Sequence, residues 1–104
     1  MDGTLRALAD HKRCDIMRLV WSEEQSASAI AAHFPEVTRP AISQHLQVLR
    51  RAGLVAERRE GTRRLYRARH DELARLRAFV DSFWDRSLDQ LRDLAEAAAD
   101  AGGS

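Results

Sequence analysis

The chain has a single cysteine, Cys14, among 104 residues, which excludes an internal disulfide and any metal site built from cysteines alone. It also lacks a long hydrophobic run. Its longest stretch without Asp, Glu, Lys or Arg extends only from Gln25 to Pro35, well short of the ~20 apolar residues that span a bilayer. Gly, Ser and Pro nowhere accumulate into a linker, and no internal repeat divides the sequence. One domain is expected at this length. The opening residues, Met1-Asp2-Gly3-Thr4-Leu5-Arg6, lack the basic-then-apolar order of a signal peptide, so the expectation is a cytoplasmic protein with no membrane partner. No glycine-rich phosphate loop is present, nor an activated Ser or Cys with a plausible His and acid. The chain is therefore not expected to be an enzyme, and no cofactor is expected.

Lysine is scarce as well: Lys12 is the only one, and the other 16 basic residues are arginines. What is present is a charge asymmetry hidden under a net charge of +1. Residues 38–69 carry nine arginines against Glu57 and Glu60, whereas the segments on either side are net acidic. A basic segment between acidic ones points to a face that meets a polyanion.

Hydrophobic spacing gives the elements. A helical stretch from Thr4 to Trp21 places Leu5, Leu8, Ile16, Leu19 and Val20 at helical intervals, and Asp10 interrupts it as the cap of a second helix beginning near His11. Ser22 to Gln25 reads as a polar connection. A short helix from Ala27 to Phe34 follows, capped by Ser26, with Ala27, Ile30, Ala31 and Phe34 inward, and Pro35-Glu36-Val37 ends it. The next helix starts at Thr38, a good N-cap residue, with Pro40 in its first turn, where no helical donor is needed. Ile42, Leu46 and Leu49 form its apolar stripe, and Gly53 terminates it. The period then changes. Leu54 to Arg59 and Arg63 to Arg69 are extended runs around Glu60-Gly61-Thr62, a β-hairpin pattern.

A long helix from Asp71 to Ala98 closes the chain, with Leu73, Leu76, Val80, Phe83, Leu91 and Leu94 recurring at three or four residues. At 1.5 Å per residue it spans ~40 Å, more than a small domain covers, so its apolar stripe calls for a second chain. A chain this short buries only ~60–70% of its unfolded surface, and dimerisation would support it. The fold class is mainly α with a β-hairpin wing: a winged helix-turn-helix with a long C-terminal dimerisation helix. Residues 1–98 form the domain, and 99–104 are expected to be a disordered tail.

On the helix from Thr38 to Ala52, the side opposite Ile42, Leu46 and Leu49 presents Pro40, Ser43, Gln44, Gln47 and Arg51, with Arg39 and Arg50 at its edge. It has no carboxylate. Gln pairs bidentately with adenine, Arg with guanine, and Ser with several bases in a major groove. Any solvated helix face holds Gln and Ser, so the hairpin decides: Arg58, Arg59, Arg63 and Arg64 crowd a tip whose one acid is Glu60. Like charges so close repel, and a phosphate partner would relieve that cost.

The run Thr38-Arg39-Pro40-Ala41-Ile42-Ser43-Gln44-His45-Leu46-Gln47-Val48-Leu49-Arg50-Arg51-Ala52-Gly53-Leu54-Val55 resembles the recognition-helix segment of the ArsR family of bacterial winged-helix repressors. Arg58-Arg59-Glu60-Gly61-Thr62-Arg63-Arg64-Leu65-Tyr66 resembles its wing. Ala7-Leu8-Ala9-Asp10-His11-Lys12-Arg13 is similar to the stretch where the family typically has Ala-Asp-Pro-Thr-Arg, and Phe83-Trp84 with the leucines after it resembles a long dimerisation helix. The likeness covers about residues 5–95. It implies a homodimer, joined through the first and last helices, that binds double-stranded DNA at a near-palindromic operator as a repressor. Arg39, Pro40, Ser43 and Gln44 fall on base-contacting positions, and Gln47 joins them by helical projection. Thr38, Arg50, Arg51 and the wing arginines Arg58, Arg59, Arg63 and Arg64 would hold phosphates. Leu5, Leu8, Phe79, Phe83, Trp84, Leu88 and Leu91 would form the dimer seam.

The sequence departs from the family's metal sensors. Where one family site pairs cysteines at the start of the third helix, this chain has Gln25-Ser26-Ala27-Ser28-Ala29. Another site needs His on the last helix, which here carries Asp81, Asp85, Asp89 and Asp93 and no histidine beyond His70. No metal is expected, and the aspartates read as a solvated stripe. Cys14 reads as a small packed residue, with a redox thiol beside Lys12 and Arg13 as the alternative. His45 is placed at the core edge of its helix. His11 and His33 read as surface or capping residues, Trp21 as core, and Trp84 as dimer core or the wall of an apolar inducer pocket. The inducer itself is unknown, and a protein-interaction module on the same scaffold is the rival reading.

Overall fold

The computed structural model describes residues 2–102. Helix α1 (Asp2–Leu8) is followed by α2 (His11–Leu19), strand β1 (Gln25–Ser26), α3 (Ala27–Ala32), α4 (Arg39–Arg51), β2 (Val55–Glu60), β3 (Arg63–Ala68) and α5 (His70–Gly102). One compact unit runs to Leu73 and a second begins at Ala74.

Local chemistry sets the boundaries in the first unit. The Asp10 carboxylate accepts from the backbone N–H groups of Lys12 and Arg13, capping α2. Burial alone would raise its pKa, but those two N–H donors and the nearby guanidinium of Arg13 outweigh it and hold the carboxyl below its ordinary value. Ser26 caps α3 through Ala29 N, and Thr38 caps α4 through Ala41 N. The end of α4 is a Schellman motif: Leu54 N donates to Leu49 O and Gly53 N to Arg50 O, both at 3.0 Å. Gly53 stands at φ 79°, which a side chain would make costly. Leu49 and Leu54, the apolar pair of that motif, are both fully buried.

The core gathers Ile16 and Val20 of α2, Ile30 of α3, Ile42, Leu46 and Leu49 of α4, and Leu54 and Val55 at the entry to β2, all nearly inaccessible. Burying each such side chain contributes roughly 1.5–3 kcal/mol. The inward spacing read from α3 and α4 is therefore the packing spacing, with Phe34 and Ala31 buried beside it.

The sheet has one strand more than the hairpin pattern suggests. Its order is β1-β3-β2, all antiparallel, with Gln25 opposite Tyr66 and Ser26 opposite Leu65. Two residues are too few to show an alternation, so the polar connection before α3 concealed a strand. The hairpin pairs Val55 with Ala68 through to Glu60 with Arg63. Its two-residue loop begins with Gly61 at φ 62°, a turn position that favours glycine.

Two expectations are corrected here. Trp21 is not core: it is 45% exposed, its ring lies 4.4 Å from that of His70, and its carbonyl O meets His70 Nε2 at 2.7 Å. The last helix also runs past Ala98 to Gly102, because Ala99, Asp100 and Ala101 contain no helix breaker. Of the tail expected over 99–104, residues 103 and 104 lie outside the described residues. In the second unit, α5 exposes Phe79, Val80, Phe83, Trp84, Leu88, Leu91 and Leu94, with Phe83, Trp84 and Leu91 each more than 60% accessible. Arg77–Asp81 and Arg92–Asp89 ion pairs occupy its polar side.

Candidate nucleic-acid interface

Helix α4 buries Ile42, Leu46 and Leu49 and leaves Thr38, Arg39, Pro40, Ser43, Gln44, Gln47, Arg50 and Arg51 exposed. Apart from the N-cap Thr38, the exposed residues are those the helical projection assigns to the outer face and its edge. His45 is half-buried between the two faces, its Nδ1 3.4 Å from Arg13 Nη1. Arg13 also donates to Ala7 O at 2.6 Å, so a single guanidinium ties the end of α1 to the middle of α4.

The wing divides its arginines into two kinds. Arg58 donates Nε to Glu24 Oε2 at 3.1 Å and Nη2 to Glu24 Oε1 at 2.6 Å, with Glu60 Oε2 also at 3.1 Å. The Arg58 guanidinium holds the Glu24 carboxyl below the usual glutamate value, and Arg58's own pKa is raised in return. Arg50 lies 3.6 Å from Glu57 Oε2, and Glu57 accepts from the Tyr66 hydroxyl at 3.2 Å. Burial and the neighbouring Glu57 raise the Tyr66 pKa, which keeps the phenol a donor. These contacts link the last turn of α4 to the hairpin.

Arg59, Arg63 and Arg64 form no ion pair among the described residues. Arg59 stands directly across the ladder from Arg64, and like charges in that position destabilise a sheet. In the sequence all four wing arginines look alike. Arg58 is the exception, because Glu24, 34 residues earlier, reaches it from the approach to β1.

A helix-turn-helix domain pattern matches residues 8–58, the span from the end of α1 into β2. The HTH-type transcriptional regulator Rv2034 of Mycobacterium tuberculosis is 39% identical over 99 residues, covering 95% of this chain and 92% of that one. A crystal structure of a possible transcriptional regulator for arsenical resistance shares 48% identity, with a TM-score of 0.73 over 85% of this chain and 91% of the other. A Mycobacterium bovis solution structure of a homodimeric winged helix-turn-helix DNA-binding domain, a possible ArsR-family regulator, shares 37% identity with a TM-score of 0.64, over 81% and 77% of the two chains. The chain belongs to the ArsR family. It is a winged helix-turn-helix transcriptional regulator, and its relatives are regulators rather than enzymes.

Within this ArsR-family chain, Cys14 is half-buried and its Sγ donates to Leu8 O at 3.1 Å, so the thiol packs the turn between α1 and α2. No helix among the described residues is long and apolar enough to cross a membrane. Of the expected seam residues, Leu5 is 43% exposed, whereas Leu8 is half-buried against the first unit's core. The seam residues on α5 are all exposed.

Proposed function

We propose that this ArsR-family protein is a homodimeric, sequence-specific repressor working in the cytoplasm. Residues 1–98 act as its DNA-binding and dimerisation domain. In each protomer Ser43, Gln44 and Gln47, with Pro40 beside them, meet base edges in a major groove. Thr38, Arg51 and the unpaired wing arginines hold the flanking phosphates. The second protomer covers the apolar stripe of α5, with Leu5 adding to the seam. An exposed stripe of that extent marks an interaction surface, and the homodimeric M. bovis relative supports a second copy as its occupant.

The observation that carries the reading is the unpaired Arg59–Arg64 opposition on the wing, beside a helix face with no acid. Folding gains nothing from it, whereas phosphates bound there neutralise it and release counterions. A dimer seated on two successive major grooves, ~34–36 Å apart, covers the promoter it occupies, and that occlusion is the basis for repression. Hydroxyl-radical footprinting on the protein's own upstream DNA tests this. Two protected patches one helical turn apart on the same face support the reading, and uniform protection or none contradicts it.

A further inference from the structure

A cavity of about 320 Å³ opens between the start of α4 and the wing, lined by Ser26, Ser28, Arg39, Thr62, Arg63 and Arg64. Its size lies at the low end of pockets that hold small ligands. Its chemistry is one-sided: three arginines and three hydroxyl-bearing residues, with no carboxylate in the lining. Arg39 Nη2 is 3.4 Å from Ser28 Oγ, so this arginine leans along α3 rather than out from the recognition face. No ion pair neutralises Arg39, Arg63 or Arg64 among the described residues.

We propose that this cavity is a phosphate site and that it holds one backbone phosphate of the bound duplex. The proposal rests on the DNA-binding reading above and deepens it. Planar guanidiniums offer paired donors that match phosphate oxygens, and Ser28 and Thr62 supply two more. The site lies at the N-terminal end of α4, where the helix dipole favours an anion. The lining contains no aromatic side chain, and its one apolar side chain is Ala27, so nothing there would grip a base or an apolar inducer. Because its donors come from α3, α4 and the hairpin, one phosphate would bind all three together. Arg39 thereby takes a phosphate role in place of the base reading expected from the sequence, and Ser28 joins the interface.

The test uses a duplex enriched from a randomised library by the intact protein, with a single neutral methylphosphonate moved along each strand. One linkage per half-site should weaken wild-type binding by about tenfold when neutralised, the equivalent of ~1.4 kcal/mol, and should weaken the Arg39→Ala protein by clearly less, since Arg63 and Arg64 alone then face that phosphate. Arg39→Ala should weaken all sequences by the same factor. The Arg39→Ala/Arg63→Ala pair should lose less than the product of the single losses, because both serve one phosphate. A changed preference at one base pair in Arg39→Ala, or a scan identical for the two proteins, overturns the site while leaving the regulator reading intact. Saturable uptake of inorganic phosphate by the free protein, with that same flat scan, would assign the cavity to a free anion instead. A library yielding no enriched duplex overturns the regulator reading and the site together.

Discussion

Glu24 and Arg58 form a two-point contact, Nε to Oε2 at 3.1 Å and Nη2 to Oε1 at 2.6 Å, that pins the wing to the segment leading into β1. The pair gives Arg58 a carboxylate partner, which Arg59, Arg63 and Arg64 lack among the described residues. Arginines of one short hairpin thus divide between holding the wing in place and remaining available to an anion. The division follows from which acids the fold brings near, not from the local sequence.

Salt dependence separates the two kinds. For a protein that neutralises backbone phosphates, log K falls by ~0.9 per phosphate for each unit of log salt. Arg63→Ala should shallow the slope, by at most that amount because Arg39 and Arg64 face the same phosphate, and weaken every duplex alike. Arg58→Ala should leave the slope unchanged. Anisotropy titrations of the two variants over several chloride concentrations read the difference directly.

The same contact predicts a pH dependence. The Glu24 carboxyl is held below its ordinary value by Arg58, so its contribution to stability is full above the unfolded glutamate value of about 4.3. That contribution is lost as pH falls through the lower folded value. Urea melts of wild type and Glu24→Gln should therefore differ at pH 7 and converge in acid. A difference that persists unchanged below pH 3 would contradict the pairing.

Gln44 is exposed on the outer face of α4, away from Ile42 and Leu46. Gln44→Ala should leave thermal stability unchanged, cost ~1–3 kcal/mol of specific binding and relax discrimination at one base pair. Equal weakening on specific and shuffled duplexes would remove Gln44 from the base readers.

The apolar stripe of α5 gives an association test. Leu91→Asp should turn a dimer into a monomer in sedimentation equilibrium, since an unpaired carboxylate would be buried at the seam. Specific DNA affinity should fall with it, because each protomer would then hold a single half-site. An unchanged dimer would move the seam elsewhere.

Much of the fold was legible in the sequence because its signals are local. Thr38, Pro40 and Gly53 bracket α4, and Ile42, Leu46 and Leu49 repeat at the helical period and are buried. Asp10 and Ser26 likewise announced the caps they form. The outer face of α4 followed from the same periodicity. What remained hidden depends on distant partners. Strand β1 exists because Gln25 and Ser26 meet Tyr66 and Leu65, and no two-residue strand has a period to read. Trp21 is apolar by type, yet its ring packs at a tilt against His70 at the surface. Ser28 shares a cavity with Arg39 and Arg63 only once the hairpin folds back toward α3.

The central claim is that the unpaired arginines and the polar face of α4 together recognise a particular duplex. Fluorescence anisotropy of the purified protein on its own upstream DNA and on a shuffled duplex, over a range of salt, tests it most directly. Tight binding to the upstream duplex, weak binding to the shuffled one and a steep negative salt slope are the predicted result. No binding to either duplex, even at low salt, would contradict the account and favour a protein-interaction module on the same scaffold.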